Sequence, residues 1–139
     1  MAILGIGTDV CMIGSIRRSL SRFGDAFTEH LFSLEERRLC NAARDPAIFY
    51  ARAFSGKEAC AKALGTGFTE EIGWRDIVVI QSDDCTLLRL SCSAERQLAL
   101  LTPPGHTAAV HISCTSDGLL AFASVMISSS HLRETNDGT

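Results

Sequence analysis

The sequence has little that would suit a membrane or a nucleic acid. Polar residues interrupt its apolar runs every few positions, so no run approaches the roughly 20 residues that a membrane-spanning helix needs. The formal net charge is −3, which provides no general basic field to attract nucleic acid. No Lys or Arg precedes the short apolar run at the start of the chain, so we expect no secretory signal and a cytoplasmic location.

Several common motifs are also missing. The six cysteines include no Cys-x-x-Cys pair and the four histidines are scattered, so no zinc-site spacing is present. His30 and His106 are interpreted as surface or turn residues. Gly5 and Gly7 do not form a dinucleotide fingerprint, because no third glycine opens a following helix. We expect most of the thiols to be small buried side chains in a reducing compartment.

Residues 1–128 are predicted to form a single α+β domain, with helices in the N-terminal half packed on a mainly antiparallel sheet. Residues 129–139 are predicted to be a disordered polar tail. In chain order, the predicted elements are a strand over 2–11, helices over 13–31 with a break at 24–25, over 33–43 and over 47–64, strands over 77–80 and 86–91, a helix over 93–101, and strands over 107–114 and 119–128.

Asp9 is the unusual residue of the first strand. That strand is apolar enough to be buried on both faces, and a carboxylate beside it costs free energy unless it has a charged partner, hydrogen bonds or a metal. Glu58 and Lys62 lie four positions apart on the longest predicted helix and therefore face one side of it. A surface ion pair is one interpretation, but the helix is apolar nearly all round, which favours charges that line a cleft.

Asp9 and Glu58 together suit a hard divalent cation. Mg²⁺ takes one or two carboxylates and completes its shell with substrate phosphate oxygens and water, and oxygen ligands suit Mn²⁺ as well. Lys62 would then contact the same phosphates as a point charge. The residues alone leave two interpretations open, a metal-assisted phosphoryl-type site and an ordinary surface ion pair.

The motifs around these residues form an ordered series. In chain order they are Gly5-Ile6-Gly7-Thr8-Asp9-Val10, Arg22-Phe23-Gly24, Leu31-Phe32-Ser33-Leu34-Glu35-Glu36, Lys57-Glu58-Ala59 with Lys62-Ala63-Leu64-Gly65-Thr66-Gly67, and Ile72-Gly73-Trp74-Arg75-Asp76-Ile77. The series resembles the holo-acyl-carrier-protein synthase family of 4'-phosphopantetheinyl transferases over roughly residues 3–80, with a weaker match over 107–127.

The resemblance implies a reaction and its participants. A serine hydroxyl of an apo acyl carrier protein attacks the β-phosphate of coenzyme A, accepts the 4'-phosphopantetheine group and releases 3',5'-ADP. The resemblance further implies a Mg²⁺-dependent homotrimer with active sites between neighbouring subunits, acting in fatty acid biosynthesis.

The resemblance also assigns residues to roles. Asp9 and Glu58 correspond to the magnesium ligands and Lys62 to the phosphate-contacting lysine, and these three residues form the predicted catalytic set. Residues 65–67 (Gly65, Thr66 and Gly67) correspond to a turn near coenzyme A, and Lys57 and Ser113 complete the predicted coenzyme contacts. The base that takes the serine proton is either Glu58 or a water bound to the cation.

The chain departs from the family pattern at several positions. Met12 and Ser15 stand where the family usually has glutamate and arginine, and Ala53 stands where it usually has arginine. The changes at Met12 and Ala53 suit a specialised transferase for a secondary-metabolite carrier. Cys114 stands where a histidine is expected near the coenzyme, which suits a non-catalytic module that binds coenzyme A or a carrier protein.

Overall fold

The computed structural model describes residues 1–67 and 72–133. The elements in chain order are β1 (Ala2–Met12), α1 (Ile13–Phe23), α2 (Asp25–Leu31), α3 (Leu34–Asn41), α4 (Pro46–Ala63), a 3-10 turn (Trp74–Asp76), β2 (Ile77–Gln81), β3 (Thr86–Leu90), α5 (Cys92–Leu101), β4 (His106–Ser116) and β5 (Leu120–His131). The predicted α+β class is confirmed. No helix in the described ranges is both long enough and apolar enough to cross a membrane.

The strands form two antiparallel sheets. The larger sheet has the order β1-β5-β4, with β5 in the centre, and the smaller one pairs β2 with β3. Helix α4 packs across one face of the larger sheet, mainly against β1 and β5. On this face Ala123, Val125 and Ile127 of β5 are fully buried. Because strand side chains alternate between faces, one part of the core lies between α4 and this single face of the sheet. Another part packs α4 against the other helices and the smaller sheet, with Ile16 of α1, Cys40 of α3 and Val79 of β2 buried there.

Two glycines allow α4 to lie directly on β1. A Cβ added at Gly7 would lie 1.9 Å from the carbonyl oxygen of Ala59, and one added at Gly5 would lie 2.0 Å from that of Ala63. Both distances are far shorter than van der Waals contact, so neither position can accept a side chain while the helix stays in place. Because these two residues have no side chain, α4 can approach closely the strand that carries Asp9.

The helix boundaries follow the predicted start and stop signals. Ser33 and Glu36 form a reciprocal capping box at the start of α3, and Pro46 occupies the first turn of α4. Gly24 separates α1 from α2 with a φ of 52°, a conformation that favours glycine. The break predicted in this helical segment is thus confirmed.

Strand β1 differs from its prediction. Its outer face, opposite α4, exposes Ile6, Val10 and Met12 at 63%, 57% and 60%. The prediction that this strand is buried on both faces is therefore wrong for the single chain, because no element of the described chain covers the outer face of the larger sheet.

The end of β5 also differs from its prediction. The strand continues to His131, and Ser129 pairs with Ala108 of β4 and is buried. Residues 129–131 therefore belong to the sheet, and the prediction that they are part of a disordered tail is wrong. Residues 134–139 of that tail lie outside the described residues.

The six thiols are divided between the core and the surface. Cys11, Cys40 and Cys60 are buried, Cys114 is half-buried, and Cys85 and Cys92 are exposed. Three of the six thiols are therefore buried, so the expectation that most of them are buried is not met.

Candidate active site between β1 and α4

The strand and the helix bring Asp9 and Lys62 into contact. Lys62 Nζ lies 3.1 Å from Asp9 Oδ1 and donates a hydrogen bond to the carbonyl oxygen of Thr8 at 2.9 Å. The Asp9 side chain is 16% exposed, whereas that of Lys62 is 51% exposed. The carboxylate thus lies in the crevice between strand and helix, while the ammonium reaches its rim and remains open to a ligand.

Glu58 lies one helical turn before Lys62 and is half-buried. Burial raises the pKa of its carboxyl group, the Asp9 carboxylate raises it further, and the Lys62 ammonium opposes both effects. Two carboxylates and one ammonium therefore influence one another at this crevice. The local excess of negative charge is what a cation would neutralise.

The donor set decides which cation this crevice suits. The described residues contain no group of three or more His, Cys, Asp or Glu side chains that could hold a metal. Mg²⁺ needs only one or two protein carboxylates when phosphate oxygens and water supply the remaining ligands. Asp9 and Glu58 therefore fit a hard divalent cation that is held jointly with a phosphate ligand, and they do not suffice for a cation held by the protein alone.

The turn after α4 follows Lys62 directly. Gly65 and Gly67 have φ angles of 83° and 62°, and the amide of Gly67 donates to the carbonyl oxygen of Ala61. The hydroxyl of Thr66 donates to the carbonyl oxygen of Gly67 at 2.9 Å. Since both glycines adopt left-handed conformations, the turn holds its exposed backbone close to the end of the helix that carries Lys62.

The structure contradicts the prediction that Lys57 contacts coenzyme A. Its side chain is fully buried, and Nζ donates to Glu36 Oε1 at 2.7 Å, to the carbonyl oxygen of Trp74 at 2.8 Å and to that of Ile77. All three ammonium protons are therefore used inside the core. Burial lowers the pKa of Lys57, and the Glu36 carboxylate opposes that shift. Lys57 is a structural residue that lies beside the site residue Glu58 in sequence only.

Ser113 lies away from the Asp9 crevice. It is on β4, at the opposite edge of the larger sheet from β1, and it lines a cleft of about 390 Å³. Arg52 of α4 and Cys114 line the same cleft. Within one chain, the predicted coenzyme contacts are thus divided between two edges of the sheet.

Sequence reasoning missed Arg52 as a candidate ligand-binding residue. Its Nε donates to Ser116 Oγ at 2.8 Å, and its guanidinium carbon lies 5.2 Å from the centre of the Phe49 ring. The Cys114 thiol lies 3.8 Å from the Arg52 carbonyl oxygen, and burial raises its pKa to about 11. The thiol is neutral at ordinary pH, and the charged side chains that line this cleft are Arg52, Asp83 and Asp84.

The model of the 4'-phosphopantetheinyl transferase superfamily matches residues 5–113, which include Asp9, Glu58 and Lys62. This chain belongs to that superfamily. Among curated relatives, the holo-[acyl-carrier-protein] synthase of Methylorubrum populi is 49% identical over 128 residues, which cover 90% of this chain and 93% of that protein. The synthase of Methylobacterium nodulans is 50% identical over 128 residues, covering 90% and 96%.

Solved structures of the superfamily share the fold. The holo-[acyl-carrier-protein] synthase of Neisseria meningitidis superposes with a TM-score of 0.79 at 27% identity, covering 91% of this chain and 99% of that one. The Helicobacter pylori enzyme in complex with coenzyme A gives a TM-score of 0.74 at 29% identity, with coverage of 88% and 99%. The resemblance seen in the sequence motifs is thus confirmed at the level of family and fold.

Proposed function

We propose that this chain transfers the 4'-phosphopantetheine group of coenzyme A to a serine of an apo acyl carrier protein. The observation that supports it most directly is the contact of Lys62 with Asp9, next to Glu58, in the crevice between β1 and α4. Relatives that are about half identical over most of their length are holo-[acyl-carrier-protein] synthases, and a similar fold has been solved with coenzyme A bound. These three charged groups lie within the part of the chain that the superfamily model matches, which supports the transfer reaction.

The reaction breaks one phosphoanhydride bond and forms one phosphate ester bond. The serine oxygen bonds to the β-phosphorus of coenzyme A, the bond from that phosphorus to the bridging oxygen breaks, and 3',5'-ADP leaves with the electron pair. Lys62 binds the diphosphate oxygens through its exposed ammonium, which Asp9 and the Thr8 carbonyl oxygen hold in place. We propose the carboxylate of Glu58 as a base that accepts the proton of the serine hydroxyl.

Asp9 and Glu58 are the residues that would hold Mg²⁺. When bound, the cation supplies positive charge that offsets the charge developing on the leaving phosphate. The mutual influence of the two carboxylates supports this assignment, since a single lysine faces both of them.

Intact-protein mass spectrometry of apo carrier proteins tests the proposal. Incubation with this protein, coenzyme A and Mg²⁺ should add one phosphopantetheine group to a carrier, and EDTA should prevent the addition until Mg²⁺ or Mn²⁺ is restored. Glu58→Gln should slow the transfer by about a hundredfold or more, because it removes a base and a charged ligand.

The control variant is Glu35→Gln, which alters a surface carboxylate that pairs with Arg89 and should transfer at the normal rate. If no carrier gains mass while calorimetry still detects coenzyme A binding, the transferase is refuted in favour of a binding module.

We also infer that the outer face of the larger sheet joins copies of this chain into a homotrimer. That face exposes Ile6, Val10 and Met12 of β1 next to Leu120 and Phe122 of β5. A contiguous apolar surface of this kind is typical of an interface.

Replacing Val10 with aspartate should therefore disrupt the assembly. Sedimentation velocity should give a mass of three chains for the unaltered protein and of one chain for Val10→Asp, because the carboxylate would be buried without a partner. The control variant is Leu100→Asp, which alters an exposed residue of α5 and should leave the mass of three chains unchanged. A buried residue such as Val78 would not serve, because aspartate in the core would unfold the chain. A single-chain mass for the unaltered protein would refute the assembly.

A further inference from the structure

The open end of the β4–β5 ribbon carries two adjacent histidines. His106 begins β4, His131 ends β5, and the two residues are register partners. Their ring centroids are 4.2 Å apart, with the ring planes inclined by 38°. Asp9 pairs with Ala123 of β5, whereas His131 ends the same strand eight residues later, so the histidine pair lies away from Asp9 and has no part in the proposed transfer reaction.

The backbone of the ribbon end brings the two side chains close together. The amide of Leu132 donates to the carbonyl oxygen of Gly105 at 3.0 Å, which makes residues 105 and 132 a hydrogen-bonded pair. The amide of His106 donates instead to Pro103 at 3.1 Å, so His106 and His131 form the next, non-hydrogen-bonded pair. Side chains of such pairs lie closer together than those of hydrogen-bonded pairs.

The proline turn before β4 selects one tautomer of His106. Nδ1 lies 3.2 Å from the carbonyl oxygen of Pro104, and a carbonyl oxygen only accepts hydrogen bonds. In the neutral ring the proton therefore resides on Nδ1, and Nε2 keeps its lone pair free. Metal-binding histidines have this arrangement, because a second-shell acceptor on one nitrogen orients the other towards the cation.

We propose that His106 and His131 form a two-nitrogen site for a divalent transition-metal cation such as Ni²⁺, Zn²⁺ or Cu²⁺. Imidazole nitrogen suits these cations, whereas Mg²⁺ prefers oxygen, so the site is chemically separate from the Asp9–Glu58 pair. Within the described ranges no third His, Cys, Asp or Glu joins the two rings, although Glu95 lines the groove beside His106. Water completes the coordination shell, so the cation is exchangeable. Because one ligand is on each strand, the bound cation links the start of β4 to the end of β5.

Isothermal titration calorimetry of the untagged protein with Ni²⁺ tests this site, with excess Mg²⁺ present to occupy oxygen ligands. One Ni²⁺ per chain should bind at pH 7.5. Either His106→Gln or His131→Gln should raise the Kd for Ni²⁺ by about 10–100-fold or more. Loss of an outer-shell partner already costs a metal site that much affinity, and each of these variants removes a ligand. His111→Gln, which alters an exposed histidine on the same strand, should bind Ni²⁺ normally.

A thermal scan provides a second, independent measurement. Ni²⁺ should raise the Tm of the unaltered protein and of His111→Gln and should leave that of both pair variants unchanged, because only a cation bound to the folded state stabilises it. A Kd that is the same in the unaltered protein and in both pair variants would overturn the proposal. So would a Tm increase of equal size in all four proteins.

Discussion

Replacing Lys57 with methionine should lower the free energy of unfolding by about 3–5 kcal/mol, because Glu36 then keeps an unpaired charge in the core. Both side chains of this ion pair are fully buried. For a chain of this size the loss corresponds to a fall in Tm of roughly 10–20 °C. Urea unfolding followed by circular dichroism measures it directly.

Lys62→Met is the matched control, since it makes the same change five residues along the same helix. Lys62 is half-exposed, so removing its ion pair with Asp9 should cost less than about 1 kcal/mol of stability while transfer activity falls sharply. Lys57→Met should show the opposite pattern, with low stability but near-normal transfer by the fraction that is folded. If Lys57→Met is as stable as the unaltered protein, the buried pair described here is wrong.

Replacing Gly7 with alanine should cost about 3 kcal/mol or more, at the upper end of overpacking substitutions. The added methyl group would lie 1.9 Å from a backbone carbonyl oxygen of α4, which cannot rotate away as a flexible side chain would. The helix must therefore move off β1. That movement separates Asp9 from Glu58 and Lys62, so transfer should fall together with stability.

Gly118→Ala separates this effect from the general cost of changing a glycine. A Cβ at Gly118 meets no atom within 4 Å, so its stability should change by no more than about 0.5 kcal/mol. The two variants are compared by urea unfolding and by the rate of carrier modification. Normal stability of Gly7→Ala would mean that α4 and β1 are not in the direct contact seen here.

The central site could be predicted because its residues follow simple periodicities. Glu58 and Lys62 share a helix face at a spacing of four, and Asp9 was conspicuous as an acid in an apolar strand. Their convergence needed only that the strand and the helix pack together, and the structure shows the Asp9–Lys62 contact. The roles of these residues in coenzyme and metal binding remain predictions that the experiments above test.

The position of Lys57 could not be predicted from the same helix. Its partner Glu36 lies 21 residues away and already had a local explanation in the capping box with Ser33. One oxygen of Glu36 serves both Ser33 and Lys57, while the other accepts the amide of Val79. A sequence motif reveals the local bond alone, whereas the other two depend on how α3, α4 and β2 pack.

The sheet illustrates two further limits of sequence patterns. Apolar content indicated that β1 is buried on both faces, but it cannot tell whether the chain itself or a second copy covers the outer face. The polarity of Ser129 suggested a tail, yet its pairing with Ala108 keeps it in β5. His106 and His131 are likewise 25 positions apart, and only the register of β4 and β5 makes them neighbours.

The buried thiols give this protein internal reporters of its own opening. Burial raises the pKa of Cys40 on α3 and of Cys60 on α4 to about 12. Only the thiolate reacts with alkylating reagents, so both residues stay inert until their helix separates from the core. The exposed Cys85 and Cys92 react without any such step. The slow rate of alkylation at Cys40 and Cys60 thus measures how often each helix separates from the core. If the two helices open locally the two rates differ, and if the whole chain unfolds at once they are equal.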